Sequence, residues 1–294
     1  MKGQLILFLL LLLSCTPAKE DNQLKQLEDE ILSLMDSVEG DFGLAFRLLD
    51  DTDKELFINE KEVFHAASTM KTPVMIELFK QEKAGNFSLQ DSIVIRNEFK
   101  SILDGSTFSM DLSVDSQEAL YSRIGEKGSI YELMYEMIVN SSNLATNLLI
   151  EMVAAENVNQ TMRDLGANDI QVLRGVEDLK AYDAGLSNTT TALDMMLVME
   201  AIAENKVIGA KNMMEILSDQ HFNGLIPKYL PKTAKVAHKT GSITGVQHDA
   251  AIVDLEDGSR YVLVVLSKNL QDEEAGKACI ARVSQLIYAY VTEH

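Results

Sequence analysis

Positive charge is scarce in this chain. Twenty-six Lys and Arg stand against 45 Asp and Glu, giving a net charge of −19, and no basic cluster interrupts the acidity. Phosphate recognition needs a concentrated Lys/Arg face, so nucleic acid is excluded as a partner. Acidity of this kind favours solubility and says nothing of the fold. Long apolar runs are nearly as scarce. Leu5–Leu13, preceded by Lys2, is too short to span a bilayer as a mature helix and has the layout of a targeting segment. Cysteine is confined to Cys15 and Cys279. Cys279 falls in the apolar pattern of a C-terminal helix and reads as a buried, inert thiol. The histidines His65, His221, His238 and His248 show no H-x-x-x-H or Cys/His spacing, so neither a metal nor another cofactor is expected. No Pro-rich linker, internal repeat or low-complexity stretch divides the chain.

At 294 residues, 46% apolar and 24% charged, the chain is an ordinary globular protein of one large domain or two intimate ones, with ample core. Leu24, Leu27, Ile31, Leu34 and Val38 recur at helical spacing, and Gly40 ends the run. Phe42, Leu44, Phe46 and Leu48 alternate as in a half-buried strand, and a turn at Asp50–Asp53 returns Glu55–Asn59 antiparallel to it. Near the other end, Ala250–Leu255 and Arg260–Ser267 form a hairpin about Asp257-Gly258, followed by a helix from about Asp272. The middle is mostly helical, with Met134, Met137, Met152, Met195 and Met199 as core filler. These patterns predict an α/β sandwich lobe from residues 22–83 and 206–294, with an all-α lobe, 84–205, inserted. The two lobes make one domain, 22–294, with a cleft where they meet.

Three short motifs follow one another: Ser68-Thr69-Met70-Lys71, Ser141-Ser142-Asn143 and Lys239-Thr240-Gly241. A serine with a lysine three residues on shares one helix face with it, so the amine can take or relay the hydroxyl proton. S-x-x-K and K-[ST]-G each occur once, and the other S-x-N, Ser267-Lys268-Asn269, lies out of order. Ala66-Ala67-Ser68 leads into an apolar helical run with Pro73 in its opening turn. Ser68 is thereby set near a helix N-terminus, where N–H groups favour developing negative charge.

The ordered set resembles the penicillin-recognising serine hydrolases, and among them the class A β-lactamases, from about Asn22 to the C-terminus. The resemblance implies an α+β fold, with an antiparallel five-stranded sheet flanked by helices and an all-α lobe beside it. It makes Ser68 the nucleophile, Lys71 its general base or relay, and Ser141 the proton donor to the leaving nitrogen. Asn143 is to bind the substrate amide. Lys239 and Thr240 are to face its carboxylate, with Gly241 where the strand must be approached closely. The backbone N–H groups of Ser68 and Ser242 are to form the oxyanion hole. Glu177, 36 residues after Ser141 in Arg174-Gly175-Val176-Glu177-Asp178-Leu179, is to direct the deacylating water, with Asp178 as competitor. Asn188-Thr189-Thr190-Thr191 resembles the far end of that loop.

Several positions depart from the family pattern. Ser142 replaces an aspartate. Arg174 meets Asn188 rather than an aspartate, so the Glu177 loop lacks its salt bridge. His248 or Asp249 stands where an arginine is common, and Asp104–Ser116 holds extra length before the second motif. The expected substrate is a small β-lactam. The alternatives are an acyl peptide or ester hydrolysed by a D-Ala-D-Ala peptidase or esterase of the same superfamily, or a non-catalytic envelope-binding lipoprotein. Leu12-Leu13-Ser14-Cys15 resembles a bacterial lipobox, against an ordinary secretory signal. Residues 1–14 are then a signal peptide, Cys15 carries lipid, and 15–21 tether a monomer to a membrane of the bacterial envelope, periplasmic or surface-exposed. With Cys15 lipidated, Cys279 is left without a disulfide partner.

Overall fold

The computed structural model describes residues 17–115 and 117–293. The expected signal peptide and the expected Cys15 anchor lie outside the described residues, as does Ser116 at the end of the extra segment. Five strands form one antiparallel sheet: β1 (Asp41–Leu48), β2 (Glu55–Ile58), β3 (Lys235–Ile243), β4 (Val246–Asp254) and β5 (Arg260–Lys268), in the order β2-β1-β5-β4-β3. The β4–β5 hairpin turns at Asp257-Gly258, where Gly258 takes φ +93°. The register sets Lys239 opposite Ala250, Thr240 opposite Asp249 and Gly241 opposite His248, with β3 at the sheet edge.

Helices α1 (Pro17–Asp36) and α10 (Glu273–Glu293) cover one face of the sheet. Leu27, Ile31 and Met35 pack there with Phe42, Leu44, Phe46, Val253, Leu263, Val265 and Ile280. Cys279 is buried in this core, and burial pushes its thiol up to about 12, as expected of an inert group. The alternation in β1 suggested one solvated face, yet the strand is buried on both. On its second face Gly43 leaves room for Phe64; a Cβ on Gly43 would come within 2.8 Å of the Phe64 ring.

The other core joins Ala250, Ile252, Val262 and Val264 to the helices between the two ends of the chain. These are α2 (Lys71–Lys83), α3 (Glu118–Tyr121), α4 (Ile130–Val139), α5 (Asn143–Val153), α6 (Ala155–Asp164), α8 (Ala192–Ala203) and α9 (Ala210–Ser218), with the short α7 (Leu179–Asp183) between α6 and α8 in the chain. Met134, Met137, Met195 and Met199 are fully buried in it, and Met152 partly so. Helix α8 falls inside the stretch read as an all-α lobe, but it packs against β1, β4 and β5. It is apolar on nearly every side and so serves both the sheet and the helices, which blurs the boundary at residue 205.

Candidate active site

Ser68 sits in a single 3-10 turn, Ala67–Met70, that runs directly into α2. The turn is held from two sides. Ala66 N–H donates to Asn188 O at 2.8 Å, and Ala67 N–H donates to His65 Nδ1 at 3.0 Å. Buried His248 bonds to His65 O through Nε2 at 2.8 Å, while its Nδ1 accepts from Ser267 N–H at 3.1 Å. His248 is therefore a neutral strand histidine bracing the Ser68 turn, and burial pushes its pKa down to about 4. Asp249 is also buried. It accepts from His238 Nδ1 at 2.9 Å and Ile226 N–H at 3.0 Å, fastening the loop 220–226 that walls one side of the cleft.

Lys71 and Lys239 are fully buried, and both reach the Ser141 hydroxyl. Lys71 Nζ donates to Ser141 O at 2.7 Å, Ser141 Oγ at 3.2 Å and Asn143 Oδ1 at 2.8 Å. Lys239 Nζ donates to Ser141 Oγ at 3.0 Å and to Thr240 O at 2.9 Å. Burial lowers the Lys71 pKa to about 7, against the opposing charges of Asp115 and Glu177. Burial also holds Lys239 well below its ordinary value, and Lys71 pushes it further down. With its pKa near 7, Lys71 is about half neutral at pH 7 and can take up or give a proton in that range.

Asn143 opens α5 and links Lys71 to the next loop, since its Nδ2 donates to Glu177 Oε1 at 3.4 Å. Burial raises the Glu177 pKa, opposed by Lys71 and Arg174. The missing salt bridge does not leave the loop loose. Asn188 Oδ1 accepts from Leu173 and Arg174 N–H at 2.8 and 3.1 Å, and its Nδ2 donates to Arg174 O at 2.9 Å. Asn147, one turn along α5 from Asn143, accepts from Val176 N–H at 2.6 Å and donates to Val176 O at 2.9 Å. Only a glycine at 175 allows this approach, because a Cβ there would lie 2.1 Å from Asn147 Oδ1. Asp178, the competitor to Glu177, is occupied otherwise: its carboxylate accepts from Ala181 N–H at 3.2 Å and Ile102 N–H at 2.9 Å.

Ala67, Ser141 and Glu177 take φ of 44°, 54° and 62°, a costly region for residues with a Cβ that recurs where side chains must be aimed. Gly241 has a steric reason different from the one expected. Its missing Cβ would meet Ser68 N and Ala67 Cβ at 3.1 Å, so the glycine lets β3 pass tightly against the Ser68 turn. Ser68, Asn143 and Ser242 lie between two cavities of about 430 Å³ each. One is bounded by Ser141, Thr240, Gly241, Gln247 and Lys277, the other by His65, Arg174, Glu177, Leu179 and Tyr182. All nine residues expected at the site from Ser68 to Ser242 thus border one cleft or join its hydrogen-bond network. Sequence reasoning missed Asn147, Asp115, Gln247 and Lys277. The first lies at i+4 from Asn143 and had a local signal. The others come from distant elements and had none.

A sheet flanked by helices, with Ser141 and two buried lysines converging beside the cleft that Ser68 borders, fits a serine hydrolase. The chain belongs to the Beta-lactamase enzyme family, whose model matches residues 26–291. It is 22% identical over 306 residues to a β-lactamase of Bacteroides uniformis, covering 98% of this chain and 99% of that one. Among solved structures, a β-lactamase of Sphaerobacter thermophilus superposes with TM-score 0.77 at 25% identity over 90% of this chain and 97% of that one. PBP-A superposes with TM-score 0.77 at 28% identity over 92% and 97%, and a PBP-A variant is known as an acyl-enzyme complex with penicillin G.

Proposed function

We propose that this protein is a class A-like β-lactamase working through a Ser68 acyl-enzyme. The observation that carries the reading is the Ser141 hydroxyl bridging Lys71 and Lys239, with Glu177 joined to Lys71 through Asn143. Lys71, as free amine, takes the Ser68 proton while Oγ bonds to the lactam carbonyl carbon. The oxyanion is received by the N–H groups of Ser68 and Ser242. As the C–N bond breaks, Ser141 protonates the leaving nitrogen and is reprotonated by the Lys71 ammonium. Glu177 then removes a proton from a water that attacks the ester, and the Glu177 acid returns that proton to the Ser68 oxygen as it leaves as the alcohol. Asn143 holds the substrate amide, while Lys239, Thr240 and Lys277 face its carboxylate.

The test is intact mass followed over time with a chromogenic cephalosporin. Steady colour with only transient mass gain on Ser68 supports a β-lactamase. The similarity to PBP-A supports a second reading, a penicillin-binding acyl-peptide hydrolase, for which one burst and a persistent adduct are expected. No adduct rejects both for this substrate.

The Leu5–Leu13 run and the lipobox-like Leu12-Leu13-Ser14-Cys15 support a lipid-anchored protein of the bacterial envelope. Cys15→Ala is expected to release it from membranes, and continued lipid labelling refutes the anchor.

A further inference from the structure

We propose that Asp115 is a positioning residue for the reaction: its carboxylate clasps the start of α5 and so holds Asn143 between Lys71 and Glu177. A helix leaves its first N–H groups without intrahelical partners. Ser142 satisfies only Ala145 N–H, at 3.2 Å. Asp115 takes the two before it, accepting from Asn143 N–H at 3.1 Å and Leu144 N–H at 2.8 Å. The carboxylate is itself fixed by Tyr121 O–H at 3.0 Å and Gln117 N–H at 3.1 Å. A negative group at a helix N-terminus is also favoured by the aligned peptide dipoles.

The segment that brings Asp115 in is tied down along its length. Asn97 exchanges two hydrogen bonds with Met110, at 2.9 and 2.8 Å. Ile102 N–H reaches Asp178 at 2.9 Å, and Lys180 donates to Asp104 at 2.9 Å and to Ser106 at 2.7 Å. One stretch of chain therefore grips both the second motif and the flank of the Glu177 loop. Asn143 has its backbone held by Asp115 while its side chain accepts from Lys71 and donates to Glu177, so a shift of the α5 start displaces both groups together. Lys71, Glu177 and Tyr121 are the titratable groups on which the Asp115 charge acts. It favours the Lys71 ammonium and disfavours the Glu177 carboxylate.

This inference rests on the reading of Ser68 as the acylated group. The experiment compares the full chain with Asp115→Asn and Asp115→Ala, reading acylation by a fluorescent penicillin against pH, together with thermal stability. Asp115→Asn is expected to slow acylation about ten- to a hundredfold. It is also expected to move the acid limb of the acylation profile to lower pH, because Lys71 loses a charge that favours its ammonium. Folded variants with wild-type rate and an unmoved limb overturn the proposal. So does a loss of stability with rate and limb unchanged, which reduces Asp115 to a helix cap. Should Asp115→Ala not fold, Asp115→Asn, with the same shape and one acceptor oxygen, decides alone. If the wild type itself is not labelled by the penicillin, the β-lactam reading has failed separately. The same comparison with a fluorophosphonate then tests Asp115 directly on Ser68.

Discussion

Lys71 and Lys239, 168 residues apart in sequence (239 − 71), donate to the same Ser141 oxygen, at 3.2 and 3.0 Å. Two buried ammonium groups cannot both hold a full charge this close without large cost, and burial alone already disfavours each. The Ser141 hydroxyl is therefore placed to pass a proton between the two amines, which the proposed mechanism uses.

The first expected outcome concerns pH. Lys71 can accept the Ser68 proton only when unprotonated, so acylation rises with pH through about 7 and falls as pH drops below it. Lys71→Ala should lower the rate by about 10²–10⁴-fold and flatten that limb. Stopped-flow acylation across pH 5–9 (about two units either side of the Lys71 value) checks it. A limb that survives the substitution removes Lys71 from the mechanism.

In the proposed mechanism Glu177 acts after acylation. Glu177→Gln should leave the burst intact and make the adduct persist, visible by mass. In the wild type, deacylation should fade as the carboxylate is protonated, at a pH above the ordinary glutamate value because burial raises its pKa. Asn147→Ala, which frees Val176 from α5, should slow deacylation more than acylation. Equal slowing of both steps argues against a loop-positioning role.

Asn188 replaces the ionic pin of the Glu177 loop with three hydrogen bonds. Asn188→Ala strands buried backbone groups and should cost about 1–3 kcal/mol of stability, measured by denaturant unfolding. A variant as stable as the parent means that Asn188 does not hold the loop.

Lys277 is the cation that borders the Thr240 side of the cleft, 35% exposed and paired to Glu274. A half-exposed charge contact is worth about 0.5–1 kcal/mol, so Lys277→Ala should raise KM about two- to fivefold for a carboxylate-bearing penicillin. The effect should vanish for the corresponding methyl ester. An unchanged KM takes Lys277 out of substrate binding.

Much of the architecture could be read from the chain itself. Helical spacing from Leu24, alternation from Phe42 and the Asp257-Gly258 turn located α1, β1 and the β4–β5 hairpin, because those patterns arise from local geometry. The S-x-x-K, S-x-N and K-T-G motifs identified Ser68, Lys71, Ser141, Asn143 and Lys239 for the same reason: each is a spacing within one turn or one strand. Residues acting across the fold left no such trace. Asp115 meets Asn143 from 28 positions away, and Lys277 reaches the cleft from the last helix. The tightness of Gly241 depends on Ser68 lying beside it.

The sequence by itself determined the elements, their order and the chemistry-bearing motifs, since periodicity and short-range spacing are properties of the chain. Only the tertiary structure decided which hydroxyl two lysines share, how far burial lowers their charge, and what holds the Glu177 loop in place of a salt bridge. Those depend on desolvation and on distances between residues far apart in sequence, which exist only once the lobes have closed on each other.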